Sequence, residues 1–190
     1  DEVLACIAVC DNGIIKAPPA FGKSLIIVEV CKMYPSLRIL IVSNSLGITD
    51  TLYKRLISEI PDSQVGRLGG GYKDISRITV STTKSLMYLD PTKVDLLLFD
   101  EVHQAGAAST AEALASFKNA RFFGFSASPT GRSDGADKVV ESMFGSIKFL
   151  RTYQQAVTNE NVTPIEVHMY KIGGSRSFDS ALKRKRQGLW

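Results

Sequence analysis

The chain has 190 residues, 44% hydrophobic and 22% charged, with a net charge of +4, the composition of an ordinary folded domain with one sizeable core. No apolar run approaches a membrane span, residues 1–10 carry two acidic residues and no basic one and so do not read as a signal peptide, and the three cysteines fit no zinc spacing. The mildly basic balance, part of it in the run at 183–186, admits nucleic acid as a partner without demanding one. Along the chain, short apolar runs alternate with amphipathic segments. Residues 1–9 read as a helix and 13–16 as a short strand. Residues 23–34 read as a helix with Leu25, Val28 and Met33 among its apolar positions, and "RILIV" at 38–42 as a continuous apolar strand. Residues 50–60 are helical, with Leu52, Leu56, Ile57 and Ile60 on one face and Pro61 behind them. "GRLGGGYKD" at 66–74 is a glycine-rich loop, "RITVS" at 77–81 a strand followed by a short helix, and "VDLLLFD" at 94–100 a third buried strand. A helix at 110–117, a strand at 121–126, a helix at 134–144 and a late strand at 165–170, where His168 reads as structural, complete the pattern. Cys6, Cys10 and Cys31 read as buried free thiols of a reducing compartment, which points to the cytoplasm. The chain lacks an initiator methionine and reads as a fragment of something longer.

Near-continuous apolar strands alternating with helices predict an α/β fold, a mostly parallel sheet with helices on both faces. Ligands of such sheets bind at the carboxyl ends of the strands, so the informative residues follow strands directly. After the first strand, "APPAFGKS" at 17–24 has the spacing of a phosphate-binding P-loop. The loop that runs from Ala17 and Pro18 to Gly22 would wrap a phosphate with the N–H groups of its non-proline residues at the start of the next helix, Lys23 would reach the terminal phosphates, and Ser24 would place its hydroxyl on Mg²⁺. Alanines stand at 17 and 20, where the motif carries glycine or often does. If Ala20 sits at positive φ it costs about 1–2 kcal/mol. After the third buried strand, Asp100 is placed to hold Mg²⁺ beside Ser24, and Glu101 to share that ion or to polarise the water attacking a γ-phosphate. The loop alone is equally a strand-to-helix turn with a lysine in water; the loop and the carboxylates together read as a nucleoside triphosphate site, with ATP and Mg²⁺ as its ligands.

With His103, the segment at 100–103 is Asp-Glu-x-His, and the chain here resembles the superfamily-2 helicases, in particular the branch of phage UvsW-type and XPB-like translocases. "SNS" at 43–45 looks like motif Ia, "VSTTKSL" at 80–86 like motif Ib, and "FSASPTGR" at 125–132 like motif III, with Ser128 in place of the usual threonine. The glycines at 69–71 and the segment at 132–135 resemble the same branch. The likeness spans about residues 1–170 and rests on five boxes in order. It implies a RecA-like P-loop NTPase domain in which Lys23, Asp100, Glu101 and His103 serve ATP hydrolysis. It implies that Ser126 and Ser128 couple the phosphate state to the grip on nucleic acid. It also implies that Ser43, Asn44, Gly70, Thr82, Thr83 and Arg132 contact a nucleic-acid backbone, DNA ahead of RNA, without reading its sequence.

The resemblance further implies that residues 1–172 form the first motor domain, truncated at its N-terminal edge, and that 173–190 lead toward a second RecA-like domain. That domain would supply an arginine half-site, so the chain alone is expected to bind ATP–Mg²⁺ weakly and hydrolyse it poorly. Two other readings stay open: another P-loop NTPase such as a kinase or transport ATPase, and a nucleic-acid-binding module that kept the fold and lost the motor. No membrane partner is expected, and a phage gene would place the protein in the host cytoplasm.

Overall fold

A computed structural model describes residues 2–128, 136–159 and 162–164. Its elements run α1 Glu2–Val9, β1 Gly13–Lys16, α2 Lys23–Met33, β2 Ile39–Ser43, α3 Leu46–Glu59, β3 Val65–Gly69, β4 Tyr72–Lys73, β5 Ile78–Thr82, β6 Leu96–Asp100, α4 Ala108–Leu114, β7 Arg121–Ser126, α5 Ala136–Phe144, β8 Ile147–Leu150 and α6 Tyr153–Thr158. The strands form one sheet in the order β4-β3-β5-β2-β6-β7-β1-β8. All neighbours are parallel except the β3–β4 hairpin. The expected α/β architecture is therefore present.

The apolar strands are continuous because each feeds two cores. Successive residues point to opposite faces. Ile15, Ile41, Val80, Leu98 and Phe123 pack under α1, α2 and α3. Ile14, Leu40, Val42, Leu97 and Phe99 pack with α4 and α5 on the other side. There Phe144 of α5 meets Phe99 and Phe122 edge-on, with ring centroids 5.9 and 5.4 Å away. The parallel run β5-β2-β6-β7-β1 has a consequence for function: Thr82, Ser43, Asp100, Ser126 and Lys16, the last residues of these strands, all lie on one rim.

Several local expectations need correction. The helix expected over 50–60 starts at Leu46: Gly47 in its first turn is tolerated, and the Thr49 N–H closes the turn onto the Ser45 carbonyl. "GRLGGGYKD" is not a loop but a hairpin. Gly69 pairs with Tyr72, leaving Gly70 and Gly71 as a two-residue turn with φ of 63° and 95°. Positive φ at both positions is what this turn type demands. The segment after β5 is a 3-10 turn, Thr83–Tyr88, and the helix expected at 110–117 is Ala108–Leu114. In α2 the buried residues are Ile27, Val28, Val30 and Cys31, whereas Leu25 and Met33 are exposed; Ile57 of α3 is exposed too. β8 and α6 were not expected; β8 is an edge strand with mostly exposed side chains, so no burial pattern marks it. Of the thiols only Cys31 is buried, and burial pushes it up to about 12; Cys6 and Cys10 are half-buried, and all three are free. The strand expected at 165–170, His168 and Arg132 lie outside the described residues. Among the described residues no helix is long and apolar enough to cross a membrane.

Candidate functional site

The loop between β1 and α2 curls tightly. Ala17 donates its N–H to the Ser126 carbonyl, tying the loop's start to the end of β7, and Phe21 donates to the Pro18 carbonyl. Ala20 has φ of 62° and Gly22 has φ of 92°, so the strain expected at Ala20 is present. The hydrogen-bond ladder of α2 begins with Leu25 and Ile26 donating to the Gly22 carbonyl. A helix start leaves its first N–H groups for other partners, and there they carry a partial positive charge. Lys23 does not extend into water. Its Nζ donates to the Ala17 and Pro18 carbonyls at 3.4 and 3.3 Å, inside the curl of its own loop.

Asp100 ends β6 and is only 8% exposed. Burial, and after it the neighbouring Glu101 carboxylate, push its carboxyl above the usual range, while the Lys23 ammonium and the Glu101 N–H pull it back. A buried carboxylate in this state favours a cation. Ser24 and Asp100 line the same open cavity, of about 670 Å³, together with Pro19, Ala20, Gly22, Lys23 and Glu101. A hydroxyl and a carboxylate are hard oxygen donors and fit Mg²⁺, which typically takes one or two protein carboxylates and completes its shell with water and phosphate oxygens. Among the described residues there is no group of three or more His, Cys, Asp or Glu that would hold a metal unaided.

Glu101 has φ of 59°, a conformation that costs a non-glycine residue free energy and is found mostly where surrounding structure enforces it. Here the enforcement is visible. His103 Nδ1 lies 3.3 Å from Glu101 Oε2 and 3.1 Å from Ser126 Oγ. Ser126 Oγ donates to Glu101 Oε2 at 3.5 Å and accepts the Ser128 N–H at 3.1 Å. Ser126 is fully buried, so these are its available partners in a dry setting. Gly124 permits the approach: a Cβ there would stand 2.4 Å from Val102 Cγ2, within the turn that carries His103. Lys23, Ser24, Asp100 and Glu101 are brought to one cavity, and Glu101, His103, Ser126 and Ser128 to one network.

The backbone-contact candidates divide. Ser43 and Thr82 are parallel neighbours in register, and both are buried. Thr82 Oγ1 shares a 2.9 Å hydrogen bond with Ser85 Oγ, and Ser43 Oγ accepts the Ser45 N–H at 3.5 Å, so both hydroxyls serve the chain itself. Asn44 and Thr83 instead line a second cavity, of about 770 Å³, with Lys84 and residues of α4. Gly70 sits at the hairpin tip, where a Cβ would come within 2.8 Å of Leu46. The sequence reading missed Ile48, Thr51 and Arg55, which line the first cavity from α3. Starting that helix directly after motif Ia would have found them.

The sequence profile of the family described as "ResIII: Type III restriction enzyme, res subunit" matches residues 3–131. Helicase 22 of Sulfolobus islandicus filamentous virus (isolate Iceland/Hveragerdi), a provisionally named protein, is 27% identical over 186 residues, taking in 86% of this chain and 32% of its own. Among solved structures, the Hef helicase domain of Pyrococcus furiosus is similar with a TM-score of 0.71 at 19% identity, over 87% of this chain and 40% of that one. The UvsW helicase of bacteriophage T4 gives 0.59 at 20% identity, over 72% and 54%. At those identities the structures speak for the fold alone, a RecA-like α/β domain. The chain spans about a third of the length of its viral relative.

Proposed function

The chain belongs to the family of the type III restriction enzyme res subunit, and we propose that it is the first RecA-like motor domain of an ATP-dependent nucleic-acid helicase or translocase. The observation that carries this reading is the convergence of Lys23, Ser24, Asp100 and Glu101 on one cavity at the rim where parallel strands end. Backbone N–H groups at the start of α2 bind the β- and γ-phosphates of ATP. Lys23 leaves the Ala17 and Pro18 carbonyls and turns its ammonium to the same oxygens. Ser24 and Asp100 would hold Mg²⁺, with Glu101 beside them, and the ion when bound would neutralise charge on the terminal phosphates. Glu101 orients the attacking water and accepts its proton. His103 and Ser126 fix the Glu101 carboxylate, and Ser126 and Ser128, joined through the Ser128 N–H, couple the phosphate state to the grip on nucleic acid.

Nucleic acid lies across the other cavity on the same rim, with Asn44, Thr83 and the Gly70 backbone on its phosphates, and Ser43 and Thr82 shaping the strand ends beneath. DNA is the first candidate, as the resemblance to the phage UvsW-type branch implies. Residues 1–172 form the domain, and 173–190 lead toward a second RecA-like domain that supplies the arginine needed for fast turnover. A cytoplasmic setting goes with this chemistry. A thermal-shift titration with ADP and MgCl₂ tests the nucleotide site. Saturation at about a hundred times Kd adds about 2.7 kcal/mol, a rise in Tm of several degrees. Lys23→Ala and Ser24→Ala should lose most of that rise and Ser128→Ala should keep it. No shift in the unaltered chain would count against the reading.

A further inference from the structure

Beside the backbone track stands a feature that phosphate contacts do not explain. Two tyrosine rings, Tyr72 at 52% and Tyr88 at 70% exposure, line one cavity of about 430 Å³ at the hairpin tip. Tyr72 is exposed but held. The Arg67 guanidinium stacks on one face of its ring, 3.9 Å from the centroid, and Arg67 is ion-paired to Asp50 of α3. Tyr88 ends the 3-10 turn Thr83–Tyr88, whose first residues Thr83 and Lys84 line the neighbouring cavity. Ser85 of that turn and the side-chain-free Gly69–Gly71 backbone line the same cavity, with Leu68 and Ile75. Lys73 lines the ring cavity as well, and neither Lys73 nor Lys84 has an ion pair among the described residues. Asp74 follows in the chain but lines neither cavity.

From this we infer that the hairpin tip and the 3-10 turn form a base-stacking site for single-stranded nucleic acid, with Tyr72 and Tyr88 as its platforms. The inference rests on the nucleic-acid reading above and adds to it a contact with bases, where the strand-end residues reach only the backbone. Unpaired bases offer π-faces of every sequence, so rings flanked by lysines grip a strand without reading it. A ring fixed from behind by a stacked cation loses little freedom when a base lands on its open face. A duplex keeps its bases stacked on one another, so the site selects strands already parted.

Fluorescence anisotropy with the full chain separates stacking from phosphate attraction, using a fluorescein-labelled oligothymidylate and an abasic strand of equal length. Tyr88→Ala and Tyr72→Ala should each weaken oligothymidylate binding about tenfold and leave the abasic strand unchanged, while the Phe variants bind as the unaltered chain does. Tyr88 stands apart from the Arg67–Asp50 brace, so its variant reports on stacking even where Tyr72→Ala disturbs the hairpin. Equal affinity of the unaltered chain for both strands, or equal losses on both in the Ala variants, would overturn the stacking site and leave the backbone track standing. Binding of neither strand would overturn both.

Discussion

Ala20 offers a sharp test of the loop's geometry. Its φ of 62° places a Cβ where left-handed backbone crowds it, at a cost of about 1–2 kcal/mol that glycine does not carry. Its methyl is exposed, so trimming it empties no cavity. Against the relief stands the greater freedom of glycine in the unfolded chain, about 0.4–1 kcal/mol. Ala20→Gly should therefore stabilise the unliganded protein by about 0.5–1 kcal/mol, or about 2–4 °C in Tm for each kcal/mol in a chain of this size. Ala20→Val should destabilise it, because a β-branched residue suits that conformation least. Urea unfolding followed by circular dichroism measures both, with an unchanged slope showing that the surface exposed on unfolding is the same in all three chains. If glycine destabilises while valine is neutral, Ala20 is not left-handed, and the curl that brings Lys23 onto the Ala17 carbonyl is wrong.

Gly124→Ala should cost about 1–3 kcal/mol or more, since the new methyl meets Val102 at 2.4 Å, and urea midpoints will show it; an unchanged midpoint would refute the close packing that sets His103. Asp100→Asn should raise the Tm of the unliganded chain while abolishing the Mg²⁺-dependent part of nucleotide binding. A carboxyl raised by burial supports the fold below its ordinary range and loses that support as pH rises through the raised value, so the advantage of Asn should widen with pH; a lower Tm at every pH would contradict this. Asp95 behaves oppositely. The Arg38 guanidinium, at 2.7 and 2.9 Å, and the Arg38 N–H hold its carboxyl below the usual range. Its contribution is present at neutral pH and fades as pH falls through the depressed value, so Asp95→Asn should cost modest stability at pH 7 and nothing in acid, as thermal melts across pH will report.

How much of this was legible beforehand depended on whether a residue's neighbours in sequence are also its neighbours in space. "LLLFDE" announces a strand buried on both faces with a carboxylate at its end, and "GKS" before an apolar helix announces a phosphate turn; both signals are local. The Gly70–Gly71 turn was equally local, but the flanking "VGRLG" and "YK" lack the alternation that marks strands, because Tyr72 and Lys73 are both exposed. The Arg67–Tyr72 stack and its brace to Asp50 depend on the hairpin folding back beside α3, which no spacing reveals. Likewise the inward turn of the Ser43 and Thr82 hydroxyls follows from their register within the sheet, while their residue types suggest exposed loop contacts.

The most direct measurement is isothermal titration of the chain with ADP, with and without Mg²⁺, beside Lys23→Ala. One site should appear, tighter with the ion than without, and the loss of the charged lysine should weaken it about tenfold or more. Absence of heat at millimolar ADP, or equal binding by Lys23→Ala, would contradict a phosphate tail seated between the start of α2 and Asp100.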